Sequence, residues 1–280
     1  MRVARLPDGL IYAAVVVGLL WLAHGRRERE DAPSAPSTPP GLAQTPIDPA
    51  SPFAADRVSP VNRFAETASG TAFSVGGQGL WLTARHVIDA CGQVGVVVAE
   101  GRGVAARVVA RQGDLALLST EGGAPALPLA APASLRLGEQ LFHPGVPQGG
   151  AGEVASRLMG RESLAQRGRG AAPQPVITLV EDGRTEGLKG ALAGLSGAPV
   201  LDGDGAVVGV TLAQAPRRGR LYAATPQAVS RILTTAHAPP APAAAGAAFT
   251  ADNYGRAADE LRRDLRVVQV VCLARCAPPP

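Results

Sequence analysis

The chain has 280 residues, with Gly 34, Pro 25, aromatic residues at 4% and a formal net charge of +4. Its arginines are scattered along the chain, and Lys189 is the only lysine. A nucleic-acid binder would carry a basic stripe interleaved with stacking aromatics; neither is present, so no nucleic-acid partner is expected.

The first element is an uncharged run, Gly9 to Gly25, between Arg2 and Arg5 on one side and Arg26-Arg27 on the other. Its roughly 17 residues span about 25 Å as a helix, at the low edge of a bilayer crossing. The rival is a cleaved signal peptide, because Ala23-His24-Gly25 fits a small-x-small site loosely. Arginines directly after that site favour an uncleaved anchor, and His24 reads as an interfacial residue. Residues 26–60 follow, rich in Ala, Pro and Ser; such a composition buries no core and forms a semi-extended tether. A second Ala/Pro tract, 238–249, separates residues 61–237 from a tail, 250–280.

Between the two tracts no long amphipathic helix is visible. Short apolar runs bounded by Gly, Pro and Asp recur instead, which predicts an all-β domain. The expected strands are Thr71–Val75, Leu80–Leu82, Gly95–Ala99, Val104–Arg111, Leu115–Ser119, Val176–Leu179, Pro199–Leu201, Ala206–Leu212 and Leu221–Ala224. Gly76-Gly77-Gln78-Gly79 has the look of a phosphate loop, but a strand follows it, so a hairpin turn is expected. Asp202-Gly203-Asp204-Gly205 lacks the glycine position and distal Glu of a calcium loop and reads as another hairpin. No metal or cofactor is expected.

Three stretches bear chemistry. Leu82-Thr83-Ala84-Arg85-His86 puts an imidazole at the end of an apolar strand, where it suits general base work near neutral pH. A loop histidine without chemistry is the plainer reading. Gly113-Asp114-Leu115-Ala116-Leu117-Leu118 opens an apolar strand with a carboxylate, which would orient an imidazole or simply cap a turn. Gly194-Leu195-Ser196-Gly197-Ala198-Pro199-Val200 places a serine between glycines. The amides of Gly194 and Ser196 are candidates for an oxyanion hole, although Gly-x-Ser-Gly also occurs in ordinary turns. His143 is the rival base, but its Pro-Gly neighbours indicate a structural loop.

In the order His, Asp, Ser, these stretches resemble the trypsin/chymotrypsin-like serine peptidases, especially bacterial HtrA-like and related membrane-anchored branches without a PDZ domain. Gly70-Thr71-Ala72-Phe73-Ser74-Val75, Phe142-His143-Pro144-Gly145-Val146-Pro147 and Tyr222-Ala223-Ala224-Thr225-Pro226 extend the likeness over residues 61–236. The resemblance implies two small antiparallel β-barrels, about 61–132 and 133–237, with a cleft between them. It implies a serine endopeptidase acting on proteins or peptides: Ser196 as nucleophile, His86 as general base, Asp114 as its orienting partner, Gly194 and Ser196 as the oxyanion hole. Two residues depart from the pattern. Leu195 stands where an aspartate would pair with a new amino terminus after zymogen cleavage, so that activation route is not expected. Ala198 replaces a second glycine, and with Leu195 it keeps open a catalytically silent binding module; a second alternative is an esterase using the same triad. Lys189 to Leu192 and Val210 to Ala213 would line the primary pocket, which favours a small or medium apolar side chain.

Cys91, Cys272 and Cys276 allow three pairings and leave one thiol over. The tail reads as a helix, about Asp252–Arg263, then a strand, Arg266–Leu273. It is too short for a PDZ domain and should dock on the barrels, and a Cys91–Cys272 bridge would fasten it. A bridge would fit a single-pass protein of the bacterial inner membrane with its catalytic domain in the periplasm, or a secreted form after signal cleavage. Three reduced thiols are the other possibility.

Overall fold

A computed structural model describes residues 34–35, 58–60, 69–76, 79–131, 135–164, 173–215, 218–238 and 247–273. Among the described residues there are fourteen strands: β1 (Ser34–Ala35), β2 (Val58–Pro60), β3 (Ser69–Gly76), β4 (Leu80–Ala84), β5 (Gln93–Ala99), β6 (Arg102–Gln112), β7 (Leu115–Ser119), β8 (Gln140–Gly145), β9 (Gly152–Leu164), β10 (Gln174–Thr185), β11 (Pro199–Leu201), β12 (Val207–Ala215), β13 (Arg220–Ala224) and β14 (Val267–Leu273). The described residues also form the α-helices α1 (Pro226–Thr235) and α2 (Tyr254–Arg263).

The strands close into two six-stranded antiparallel barrels, the chymotrypsin-like fold. In the first, pairing runs β6-β5-β14-β3-β4-β7 and returns to β6. In the second it runs β10-β13-β12-β11-β8-β9 and returns to β10. Short β2 adds to β6, and β1 pairs with β10 in parallel. Closure leaves few unpaired edges, which are the exposed liability of an open sheet.

The apolar runs of the sequence become the buried walls. All of Leu115-Ala116-Leu117-Leu118 is buried, as are Trp81 to Ala84. A strand covered on both faces reads as a continuous apolar run rather than an alternating one. Trp81 is fully buried, and its indole N–H donates to Thr120 Oγ1 at 2.8 Å. Each large apolar side chain so buried contributes about 1.5–3 kcal/mol.

The first barrel takes its sixth wall from far downstream. Strand β14 inserts between β3 and β5, pairing Val267–Val271 with Phe73–Ser69 and Val270–Leu273 with Val96–Gln93. The tail is therefore part of the barrel rather than a layer upon it. A disulfide joins Cys91 to Cys272 across this junction; Cys276 lies outside the described residues. Helix α2, just before β14, reaches the second barrel. Its Arg262, with a side chain only 2% exposed, donates to Glu153 Oε2 at 2.8 Å and Asp259 Oδ1 at 2.6 Å.

Strands β8 and β9 were not among the expected ones. In β9 both faces are covered: Ser156 turns to His143 and Glu153, three residues earlier and on the other face, to Arg262, and both are fully buried. Polar residues at core positions mask the alternation on which strand reading depends. The run Gly9–Gly25 lies outside the described residues, and among those described no helix is long and apolar enough to cross a membrane.

Candidate active site

Pairing of β4 with β7 sets the first half of the site. Ala84 lies opposite Leu115, so the residues just after Ala84 and just before Leu115 must be neighbours. The chain leaves β4 in a short 3-10 turn, Arg85–Val87. Arg85 N donates to Asp114 O at 2.9 Å, and His86 N donates to Asp114 Oδ1 at 3.1 Å. The other carboxylate oxygen, Oδ2, lies 2.9 Å from His86 Nδ1. A bond there holds the Nδ1–H tautomer and leaves Nε2 free to accept a proton. The Asp114 side chain is 12% exposed, the His86 ring 46%: the carboxylate sits inside and the imidazole on the rim. Asp114 is further held by the second barrel, because its N–H donates to Gln174 Oε1 on β10 at 2.9 Å. Asp89 is engaged by Arg85 at 3.1 Å on the surface.

The second half is the loop leading into β11. Gly194 has φ +96 and Gly197 φ +88, in the region that L side chains rarely adopt. A β-carbon on Gly197 would lie 2.0 Å from Thr71 O and 3.0 Å from Ala84 N, so only glycine lets the loop rest against the strand that delivers His86. On Gly70, a β-carbon would lie 2.6 Å from the Val87 side chain and 2.9 Å from Ser196 O. The serine loop and the histidine turn thus flank one residue of β3. Thr71 completes the seam. Its N–H donates to Ser196 O at 2.8 Å, and its hydroxyl donates to Gly194 O at 2.7 Å.

Backbone donors in this loop divide into two sets. Leu195 N donates to Leu192 O, Gly197 N to Thr211 O, and Ala198 N to Leu195 O. Among the described residues, the amides of Gly194 and Ser196 have no partner. Two free N–H groups beside a hydroxyl are what a developing oxyanion needs. The Ser196 hydroxyl itself donates to Leu212 O at 3.3 Å. Among the described residues no hydrogen bond joins Ser196 to His86; hydroxyl–imidazole contacts of this kind are often loose and tighten with substrate.

His143 lies in strand β8 rather than in a loop, which corrects the expectation from its Pro-Gly neighbours. It is fully buried between Thr211 Oγ1 at 2.8 Å and Ser156 Oγ at 2.7 Å. Burial pushes its pKa down from 6.5 to about 3, so it is a neutral core residue. The Asp202 carboxylate accepts from Asp204 N and Ala206 N and closes its own turn. Among the described residues no cluster of His, Cys, Asp and Glu could hold a metal ion. Thr71 and Gln174, which bind the two halves together, and Gln148, which grips the loop before Ser196, were not singled out from the sequence. Their side chains act on backbone groups, and backbone partners leave no residue pattern.

One family model and several solved structures are similar to this chain. The family described as a trypsin-like peptidase domain matches residues 70–210. The active form of the Rv3671c protease from M. tuberculosis superposes with a TM-score of 0.53 at 22% identity, covering 71% of this chain and 94% of that one. The inactive form of the same protease gives 0.51 at 22%, covering 73% and 99%. An HtrA-type protease, AlgW with a decapeptide, matches at a TM-score of 0.49 and 20% identity over 60% and 51%. No curated protein matches the chain.

Proposed function

Since this chain belongs to the trypsin-like peptidase family and is a serine peptidase, we propose that it is an endopeptidase working through an acyl-enzyme on Ser196. Carrying the proposal is the conjunction of a carboxylate-held imidazole, 2.9 Å from Asp114, with the two unpartnered amides of Gly194 and Ser196 across the seam. His86 takes the serine proton at Nε2 as Ser196 Oγ attacks the peptide carbonyl, and returns it to the leaving amine. Asp114 keeps the imidazole in the required tautomer and stabilises the imidazolium. The oxyanion accepts from Gly194 N and Ser196 N, each worth about 2.7–4 kcal/mol in comparable sites. For attack, the hydroxyl turns from Leu212 O towards His86.

Substrates are proteins or peptides. Within the pocket-lining stretches Leu192 is buried, and Lys189 is the sole charged member; a small or medium apolar residue is the preference this supports. We also propose that Gly9–Gly25 anchors the enzyme in the bacterial inner membrane, with the barrels in the periplasm. The Cys91–Cys272 bridge supports an oxidising compartment.

Fluorophosphonate labelling tests the chemistry. Wild-type protein is expected to label at Ser196, with Ser196→Ala and His86→Ala silent, and to cleave members of a peptide library. Labelling that survives Ser196→Ala would sink the assignment, and hydrolysis of esters without peptides would make the enzyme an esterase. Fractionation of cells making the full chain tests the anchor: recovery in the soluble fraction overturns it.

A further inference from the structure

An oxyanion hole works only if the Gly194 amide faces the same point as the Ser196 amide before substrate arrives. Its orientation is not automatic. The peptide joining Ala193 to Gly194 is planar and trans, so its N–H points opposite to its carbonyl. Gly194 has no β-carbon to stop that peptide turning over. The chain also has no carboxylate at position 195 to tie the loop to an amino terminus: Leu195 is apolar and buried, and a β-carbon on Gly145 would lie 2.8 Å from its Cδ1.

One residue of the turn between β8 and β9 supplies the missing tie. Gln148 N donates to Ala193 O at 2.5 Å, which points that carbonyl at the turn and the Gly194 N–H away from it. The Gln148 side chain reaches the same segment: Nε2 donates to Lys189 O at 2.8 Å and to Ala191 O at 3.0 Å. Alternate carbonyls at 189, 191 and 193 are thus gripped by a single exposed residue. Gln148 itself has φ 55 and ψ 24, a left-handed conformation uncommon for a residue with a β-carbon.

The turn is fixed in its own right. Arg262 Nη1 donates to Gly145 O and to Gly152 O, each at 3.2 Å, one on either side of it. Val146 N donates to Thr71 Oγ1 at 3.0 Å. A β-carbon on Gly194 would lie 2.5 Å from Val146 O, so turn and loop are in direct contact.

We infer that Gln148 is a positioning residue, which holds the Ala193–Gly194 peptide with its N–H turned into the oxyanion site and so keeps the hole formed in the uncleaved chain. The inference rests on the peptidase reading above. It makes the turn between β8 and β9 the counterpart of an activation salt bridge, built from neutral hydrogen bonds.

Two substitutions in the full chain test it. Gln148→Glu keeps the shape and the backbone N–H but replaces both side-chain donors with acceptors facing carbonyls. Gln148→Gly tolerates the left-handed backbone and removes the side chain alone. Expected for Gln148→Glu is a fall in kcat of about 10–100-fold with KM within about threefold, the pattern of lost transition-state stabilisation. Gln148→Gly should lose about tenfold in kcat. Fluorophosphonate labelling should slow in step, since its phosphonyl oxygen takes the same place, while Tm stays within about 2 °C for an exposed site. Wild-type kcat in both variants overturns the inference, as does a loss confined to KM or one explained by a fall in Tm. Wild-type protein that neither labels nor cleaves would remove the peptidase reading itself; active wild type with unaltered variants removes only the role of Gln148.

Discussion

The two barrels carry opposite halves of one reaction and are closed in different ways. The second, which holds Ser196, is built entirely from β8 to β13 in an uninterrupted stretch of chain. The first, which holds His86 and Asp114, has five local strands and borrows β14 from beyond the second. Closing a barrel over a long loop costs more chain entropy than closing it locally. The base-bearing half therefore needs a distant strand and a disulfide to close, whereas the nucleophile-bearing half closes its own walls and takes from the tail the clamp of Arg262. Substitutions that strike one barrel only should expose this asymmetry.

The largest effect should come from the charge partner in the first barrel. Asp114→Asn keeps the shape but reverses the tautomer preference of His86, and kcat should drop about 10⁴-fold with Tm nearly unchanged. A variant retaining a tenth of wild-type kcat would break the pairing seen at 2.9 Å. Next is closure. Replacing Cys91 and Cys272 with serine frees a loop of sequence separation 181, and the entropic estimate is about 5 kcal/mol of lost stability. If the barrels unfold in separate steps, calorimetry should show the transition of the first moving down and that of the second staying in place. Equal shifts in both would mean that the two halves melt as one.

The matching probe of the second barrel is acid. His143 titrates at about 3 when folded and near 6.5 when unfolded. Between those values the unfolded chain binds a proton that the folded chain refuses, so stability falls with falling pH. The contribution is fully present above about pH 6.5 and is lost as pH drops towards 3, about 4–5 kcal/mol in all. Urea midpoints at pH 7, 5 and 4 should fall for wild type and vary much less for His143→Gln; parallel slopes would exonerate the histidine. The smallest effect concerns the single bond from the second barrel to Asp114. Gln174→Ala removes the acceptor for Asp114 N and should cost about 1 kcal/mol, read as a fewfold loss of kcat with the pH profile kept. A loss as deep as that of Asp114→Asn would show that the seam, and not the carboxylate alone, sets the imidazole.

Much of this was legible because apolar strands announce their ends. Leu115–Ser119 and Pro199–Leu201 match the observed strands residue for residue, and His86, Asp114 and Ser196 stand at or near strand ends, where a charge or a glycine interrupts the run. Strand β9 was hidden because Glu153 and Ser156 occupy its interior positions, satisfied by Arg262 and His143. The tail reads as helix then strand, and α2 and β14 lie within two residues of that reading. Its destination between β3 and β5 was not legible, because pairing over such a separation leaves no local periodicity. The grip of Gln148 was invisible for a related reason: it depends on where three carbonyls point, and every residue has a carbonyl.

The position of β14 also orders events at the ribosome. By residue 224 a nascent polypeptide has all the walls of the nucleophile half, whereas the base half stays open until residues 267–273 emerge. At 5–20 residues per second that is a delay of roughly 2–10 s. During it the base half is unclosed, so the growing chain has no assembled triad.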